Sequence, residues 1–549
     1  MSVHNLPVKL AVLLLLASLL RFWNLGTLPN GLHWDEMDTG YQAYSLFRTG
    51  KDYFSNPLPM FPHSFADYRT PIFIYSAVPF VASLGLSAVS VRLVAAVWGL
   101  LGIVLIYILV RDWLAPLILA LSPWHLQYSR KSVETMSLTT TFLLGLVCFQ
   151  RGLRQPRWLI FSALGFGLAM TAYSPGKLFV PLFLVILIFI NRKSLVLIQR
   201  KYLLTSVLVL AAFGLLVFGD AIFGKSGTRF HDVAIFTDPT ISTEINYQRQ
   251  LSAESSGRPR TVGMSPSLFD KLLHNKPQVW IASFLTNYLR TWGTDFLFIK
   301  GDPEPRHSPS RDSIGMLHMI EIVPFLVGLF VLLKTNNQLT RLLGAWLLLA
   351  PIPSALTRDG GVHAARLLIL FPALAWTITL GLRRFSRPLL TIYYLLFTIS
   401  SFYIFGYYFS HYRFESAKPY QWGYSDLIKT ALSREGQYDR VIIDVARDSP
   451  LMAYLFVTKF SPRRLQALYP LREQILTGDS RALVFGKIWL LQPGGREWVN
   501  ITLPGRNLIL ASADQSQLDR IPGATRINYP DSLAAFYVFE KSSPVAISK

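Results

Sequence analysis

Apolar runs long enough to cross a hydrocarbon layer recur along the first 410 residues of this 549-residue chain. That recurrence constrains the fold before any motif is read. A bilayer core of about 30 Å needs roughly 20 mostly apolar residues in a helix, and within it only helices or closed barrels satisfy the backbone. The pattern predicts spans at 7–24, 92–110, 113–127, 133–149, 157–173, 175–191, 202–223, 314–333, 340–357, 364–382 and 388–409. The expected architecture is an α-helical polytopic membrane protein with about eleven transmembrane helices. Composition agrees, with 51% hydrophobic residues and 15% charged, against about 25% charged in soluble domains. The net charge of +21 would point to nucleic acid in a soluble chain. Here many basic residues sit in short links between apolar runs, where they fix orientation, so no nucleic-acid partner is expected. Part of the excess is free to meet anionic membrane lipid. The single cysteine, Cys148, lies inside an apolar run and offers neither a disulfide framework nor a thiolate metal site. The run Val8–Leu20 is followed by Arg21-Phe-Trp23 and not by a small-residue cleavage site, so it reads as a retained first helix.

The links at Arg151–Arg157, Asn191–Lys201 and Arg383–Arg387 are the basic ones and are expected on the cytoplasmic side. Working outward from them, residues 25–91 form a first outer loop and 224–313 a long outer loop. Ser122–Lys131, Tyr173–Lys177 and Thr357–His363 then face the same side. The apolar segment Pro71–Leu86 is short and carries Pro71 and Pro79, so it is expected as a juxtamembrane element. After residue 410 the long apolar runs stop. Short strands at Val441–Val445, Lys487–Leu491, Asn507–Leu510 and Ala534–Phe539 alternate with helical stretches at Tyr424–Leu432 and Leu451–Lys459. This predicts a transmembrane domain over 1–410 and an extracytoplasmic α/β domain over 411–549.

The outward clusters carry the chemistry. Gly31-Leu-His-Trp-Asp-Glu-Met-Asp-Thr-Gly40 places Asp35, Glu36 and Asp38 where the chain leaves the membrane. A carboxylate near lipid is costly unless hydrated, paired or used. Asp35-Glu36 therefore reads as a catalytic or ion-binding pair, against the plainer reading of a helix cap. Asp67-Tyr-Arg-Thr-Pro71 sets a carboxylate and the Arg69 guanidinium before a proline-led helix, where an intraloop ion pair is the alternative. Arg130 and Glu134 are spaced to pair on one helix face, yet Arg130 and Lys131 at a helix start also suit an anion. Lys177 reaches the outer interface at a helix end. Arg229-Phe-His-Asp232 opens the long loop and Gly301-Asp-Pro-Glu-Pro-Arg-His-Ser-Pro-Ser-Arg311 closes it. Thr357-Arg-Asp-Gly-Gly-Val-His-Ala-Ala-Arg366 adds Arg358, Arg366 and His363. Cations around an acidic centre suit an anionic substrate attacked by a base-activated nucleophile.

The order of these motifs resembles the type C glycosyltransferases, multi-span enzymes with polyprenyl-phosphate-sugar donors. More narrowly it is similar to bacterial relatives of the protein O-mannosyltransferases and of the aminoarabinose transferase acting on lipid A. The resemblance is carried by Asp35-Glu36 in the first outer loop, Asp67-Tyr-Arg-Thr-Pro71 and Ser122-Pro123…Arg130, over residues 5–410. The chain departs from the pattern in having Thr70-Pro71 in place of a double proline. The resemblance implies an inverting transfer of a monosaccharide from a polyprenyl phosphate to a glycan, lipid or protein acceptor on the outer face of a bacterial cell membrane. It implies Asp35 as general base, with Glu36 and Asp67 positioning the acceptor or tuning that base. Donor phosphate would fall to Arg130, Lys177, Arg358 and Arg366. Trp34, Tyr41, Tyr68, Arg69 and Glu134 are further substrate contacts, as are His307 and His363. No particular cofactor is implied, and a divalent metal stays open. A divalent metal has no ligand spacing that demands it, and carboxylates with His307 or His363 are the groups that would hold one. The competing classes are a secondary transporter, which would show broken helices and repeats, and a flippase or polymerase of lipid-linked glycans.

Overall fold

The computed structural model describes residues 6–65, 67–223, 232–257, 266–310, 312–445, 449–477, 480–492, 503–514 and 518–541. Arg229, His231 and Arg311 of the sequence motifs lie outside them. Each apolar run predicted from the sequence overlaps a helix or a succession of short helical segments, and 314–333 becomes helical only from Met319. The third predicted span, 113–127, for example, is split at Ser122 into Leu114–Leu121 and Pro123–Tyr128. Among the described residues five helices are long and apolar enough to cross a membrane: Ala88–Val110, Gly176–Val196, Arg200–Gly219, Ala364–Leu382 and Arg387–Ser410.

Close helix approach depends on small residues, as expected where lipid offers no hydrophobic driving force between helices. Helices Thr135–Gly152 and Trp158–Ala172 meet at Gly145 and Gly165, where a Cβ on Gly165 would lie 2.7 Å from the Gly145 nitrogen. Ser162 adds a hydrogen bond across the seam to the Gly145 carbonyl at 2.8 Å.

The segment between the first two apolar helices is folded, not loose. Helix Trp34–Thr49 carries Asp35 and Glu36 in its first turn, where carboxylates favour the helix dipole. It ends at Gly50, whose φ of 69° is the left-handed conformation that glycine accepts most readily. Pro71 starts the next helix, Pro71–Leu84, as a pre-set first residue. The apolar segment given there as juxtamembrane is thus a helix of 14 residues, too short to cross a bilayer unaided.

Among the described C-terminal residues there is one seven-stranded mixed sheet, β1 (Arg440–Asp444), β2 (Glu473–Thr477), β3 (Ser480–Phe485), β4 (Ile488–Leu491), β5 (Asn507–Ser512), β6 (Thr525–Asn528) and β7 (Ala534–Lys541). Its order is β2-β3-β4-β1-β5-β7-β6. β1 runs parallel to both β4 and β5, and the outer pairings are antiparallel. Four strands and two helices match the sequence expectation. β2, β3 and β6 were not read from the sequence, because β2 and β6 are largely exposed and carry charged residues that weaken the alternation signal.

The sheet domain sits on the helices of the first loop. Tyr41 donates to the Phe460 carbonyl at 2.9 Å, Gln466 donates to the Asp52 carbonyl at 2.8 Å, and Met37, Tyr41 and Phe73 share one buried cluster with Leu451, Leu455 and Phe456. Helix Trp34–Thr49 is therefore clamped between the helical domain and the sheet.

Candidate active site

A cavity of about 910 Å³ opens where the loop helices meet the ends of the long apolar helices. Of the residues singled out in the sequence, Trp34, Asp35, Arg69, Glu134, Lys177, His307, His363 and Arg366 line it. Lys131, Asp302, Glu304 and Arg306 line it as well. Leu178, Val217 and Phe218 form an apolar flank, supplied by helices whose other faces are largely exposed.

Arg69 organises the acidic wall. It is 4% exposed and pairs with Asp35, with Asp38 at 3.4 Å, with Asp67 at 3.3 Å and with Glu134 at 3.5 Å. Its guanidinium lies over the Trp34 ring, 5.3 Å from the centroid. Asp35 is the member that reaches the cavity with 31% of its side chain exposed, whereas Asp38 is 1% exposed. Burial alone would raise the Asp35 carboxyl, but the Arg69 charge and His33 outweigh it and hold the group well below the usual carboxylate range. In Asp38 burial wins, pushing the carboxyl up to about 6 despite Arg69 and hydrogen bonds from Tyr53 and Ser64.

His33 bridges the two sides of the cavity mouth. Arg306 donates to its Nε2 at 2.6 Å, which requires an acceptor there. With a neutral ring the proton then sits on Nδ1, 3.3 Å from Asp35 Oδ2. In that tautomer Nδ1 cannot also accept the Asp35 N–H, so His33 serves the carboxylate before the helix cap.

Glu36 is placed differently from Asp35. It is 1% exposed and receives Arg92 Nε at 3.0 Å, Arg92 NH2 at 3.0 Å, the Ser132 N–H at 2.9 Å and its own helix's His33 N–H at 3.2 Å. All its acceptor capacity holds structure, and it does not line the cavity. Asp67 also lies behind Arg69 and outside the lining. Tyr41 is buried beneath the sheet domain, and Tyr68 stacks on the His63 ring at 4.6 Å, so of the three predicted aromatics Trp34 is the one at the cavity.

The cations divide as well. Arg130 is fully buried and donates to the carbonyls of Leu20 at 2.7 Å, Arg21 at 3.0 Å and Leu28 at 3.1 Å. It closes the end of the first helix and does not reach the cavity. Nor does it pair with Glu134, which turns to Arg69. Its sequence neighbour Lys131 takes the cavity position, with Nζ donating to the Arg306 carbonyl at 2.8 Å and lying over the Tyr128 ring. Burial, followed by the Arg306 charge, lowers the Lys131 ammonium to about 7. Arg358 bonds the Asp232 carbonyl outside the cavity, while Arg366 enters it, held by Thr357 Oγ1 at 2.7 Å and Asp359 at 2.5 Å. Arg306 and Lys131 were both visible in the sequence motifs. Their convergence depends on a contact between loops some 175 residues apart, which no local pattern encodes.

Comparison with known proteins bears on the family and the fold. The family model described as dolichyl-phosphate-mannose-protein mannosyltransferase matches residues 69–218. No curated protein matches at the level of sequence. Among solved structures, ArnT from Cupriavidus metallidurans bound to undecaprenyl phosphate superposes with a TM-score of 0.51 at 12% identity, covering 98% of both chains. The same protein in the apo state gives 0.50 at 13%, covering 97% of both. An Archaeoglobus fulgidus oligosaccharyltransferase gives 0.47 at 13% identity, over 83% of this chain and 63% of that one. The family model thus matches residues 69–218, and the likeness of fold to ArnT runs nearly the length of the chain.

Proposed function

We propose that this protein is a membrane glycosyltransferase that moves a monosaccharide from a polyprenyl phosphate to an acceptor hydroxyl, with inversion at the sugar carbon. The carrying observation is the division of the cavity. An ionised, partly exposed Asp35 forms one wall, Lys131, Arg306 and Arg366 lie along others, and an apolar flank comes from helices whose other faces are largely exposed. The family match and the ArnT fold support the lipid-linked donor. About eleven spans, with the cavity and sheet domain on the outer face of a bacterial cell membrane, complete the reading.

In this mechanism the donor's prenyl tail lies along Leu178, Val217 and Phe218, and its phosphate meets Lys131, Lys177 and Arg366. The acceptor oxygen attacks the anomeric carbon as the carbon–oxygen bond to phosphate breaks. The acceptor proton passes to Asp35, and the phosphate leaves with its added negative charge met by fixed cations, where such groups act most strongly. Arg69 and His33 hold the Asp35 carboxylate in place. Trp34 offers the sugar a flat apolar face beside Arg69.

The test is turnover of a panel of radiolabelled polyprenyl-phosphate sugars by purified protein in lipid, with an envelope extract as acceptor source. Wild type is expected to release free lipid phosphate from one donor and Asp35→Asn to release none. Failure of every donor would overturn the transferase reading, and full turnover by the variant would remove Asp35 as the base.

A further inference from the structure

The loops at 301–310 and 357–366 meet at one corner of the cavity, and what joins them has the makings of a metal site. Asp302 accepts the Ala364 N–H at 2.7 Å and the Glu304 N–H at 2.8 Å, which fixes its carboxylate between the two loops. His307 Nδ1 lies 3.1 Å from Asp302 Oδ2, and the His307 and His363 rings are 4.5 Å apart between centroids. One donor atom from each of Asp302, His307 and His363 falls within 4.8 Å of the other two. A tetrahedral ion with bonds of about 2.1 Å holds its ligands roughly 3.4 Å apart. Small side-chain rotations close the remaining gap.

A second observation points the same way. His363 Nδ1 is buried with no hydrogen-bond partner, while the other ring nitrogen faces Asp359 at 3.9 Å. A buried ring nitrogen left without a partner is costly. An ion on Nδ1 would supply the partner, with Asp359 behind Nε2 orienting the ring, as carboxylates do for metal-bound imidazoles. Two imidazoles and one carboxylate, without a thiolate, suit zinc and its neighbours better than magnesium or calcium, which prefer oxygen alone. All three residues line the cavity, and three protein ligands leave a coordination position open.

We infer that Asp302, His307 and His363 bind one divalent transition-metal ion that ties the two loops together and presents an open position to the cavity. That a phosphate oxygen of the donor fills this position rests on the transferase reading. The ligand set does not.

The test uses the full chain in detergent, stripped with a chelator and titrated with Co²⁺ as a visible probe. One equivalent is expected to bind with the intense absorption of a low-coordinate site and to be displaced by Zn²⁺. His307→Gln and His363→Gln are expected to lose that equivalent. Asp302 is left intact in both because it supports two backbone N–H groups. Absence of saturable binding in the wild type, or unchanged binding in both variants, would overturn the site. Inorganic phosphate is expected to shift the absorption, and an unmoved spectrum would overturn the open position. Donor turnover without metal binding would sink this inference and leave the transferase, while metal binding without turnover of any donor would do the reverse.

Discussion

Glu36 and Arg92 form a doubly hydrogen-bonded ion pair, both contacts at 3.0 Å, in which neither side chain is more than 1% exposed. Arg92 spends its remaining donors on the carbonyls of Leu25, Pro29 and Gly31, and Glu36 holds the Ser132 N–H. The pair therefore fixes the entry of the first loop against the segment that carries Lys131. Removing one partner strands a buried charge, which costs about 3–5 kcal/mol. Glu36→Ala is expected to lower the apparent Tm of the detergent-solubilised protein strongly. A loss of turnover at unchanged Tm would instead place Glu36 in the chemistry.

Asp38 makes stability depend on pH in a predictable direction. Its carboxyl is raised to about 6, so the native state keeps a proton that the unfolded chain releases near 3.8. The stability this contributes is present below about 4 and is lost as the pH rises through about 6. Asp38→Asn is permanently neutral. The difference in stability between variant and wild type is expected to grow between pH 4 and 7 in favour of the variant, by an order of 1–3 kcal/mol. Thermal unfolding of both proteins across that range measures it. A constant difference would show that Asp38 does not titrate there.

Lys131 gives activity a separate pH dependence. The ammonium is lowered to about 7 by burial and then by Arg306, so the free enzyme loses this cation as the pH rises through neutrality. If Lys131 meets the donor phosphate, kcat/KM for the donor falls above about pH 7, since that ratio reports groups of the free enzyme. Lys131→Arg keeps its charge and is expected to flatten the alkaline limb, even where its absolute rate is lower. A profile with the same alkaline limb in both proteins would assign that limb to another group.

The helical plan was legible because period and length are local properties: each predicted span overlaps helical segments, and Pro71 and Ser122 mark breaks that proline and polar residues announce. The site was legible in part. Asp35, Lys177 and Arg366 line the cavity, and the sequence had singled them out by charge at a membrane edge. The same signal named Glu36 and Arg130, which lie behind the cavity wall. Charge and position cannot separate a buried clamp from an exposed ligand when both sit one residue apart on adjacent faces. Asp35 and Glu36 differ in which side of one helix they take, and Arg130 and Lys131 point apart within the bend between helices Pro123–Tyr128 and Thr135–Gly152. Only the packing of distant segments, Arg92 on Glu36 and Arg306 on Lys131, settles which member of each pair faces inward.

That division yields a paired prediction for the arginines. Arg130 satisfies two carbonyls at the end of the first helix and that of Leu28 beyond it, and does not line the cavity. Arg130→Met leaves those acceptors unpaired in a buried place, at a cost of about 1–3 kcal/mol for each group not recovered by water. It is expected to lower the apparent Tm while the protein that remains folded keeps its donor KM. Arg366 lies at the cavity with its guanidinium on Thr357 and Asp359. Arg366→Met is expected to raise donor KM or lower kcat by roughly ten- to a hundredfold, as for the loss of one charged contact worth about 1.4–3 kcal/mol. Its Tm should change less than that of Arg130→Met. Donor kinetics and unfolding of the two variants, measured on the same preparations, decide the matter. A donor defect in Arg130→Met with an unchanged Tm would return that residue to the phosphate site and overturn the division.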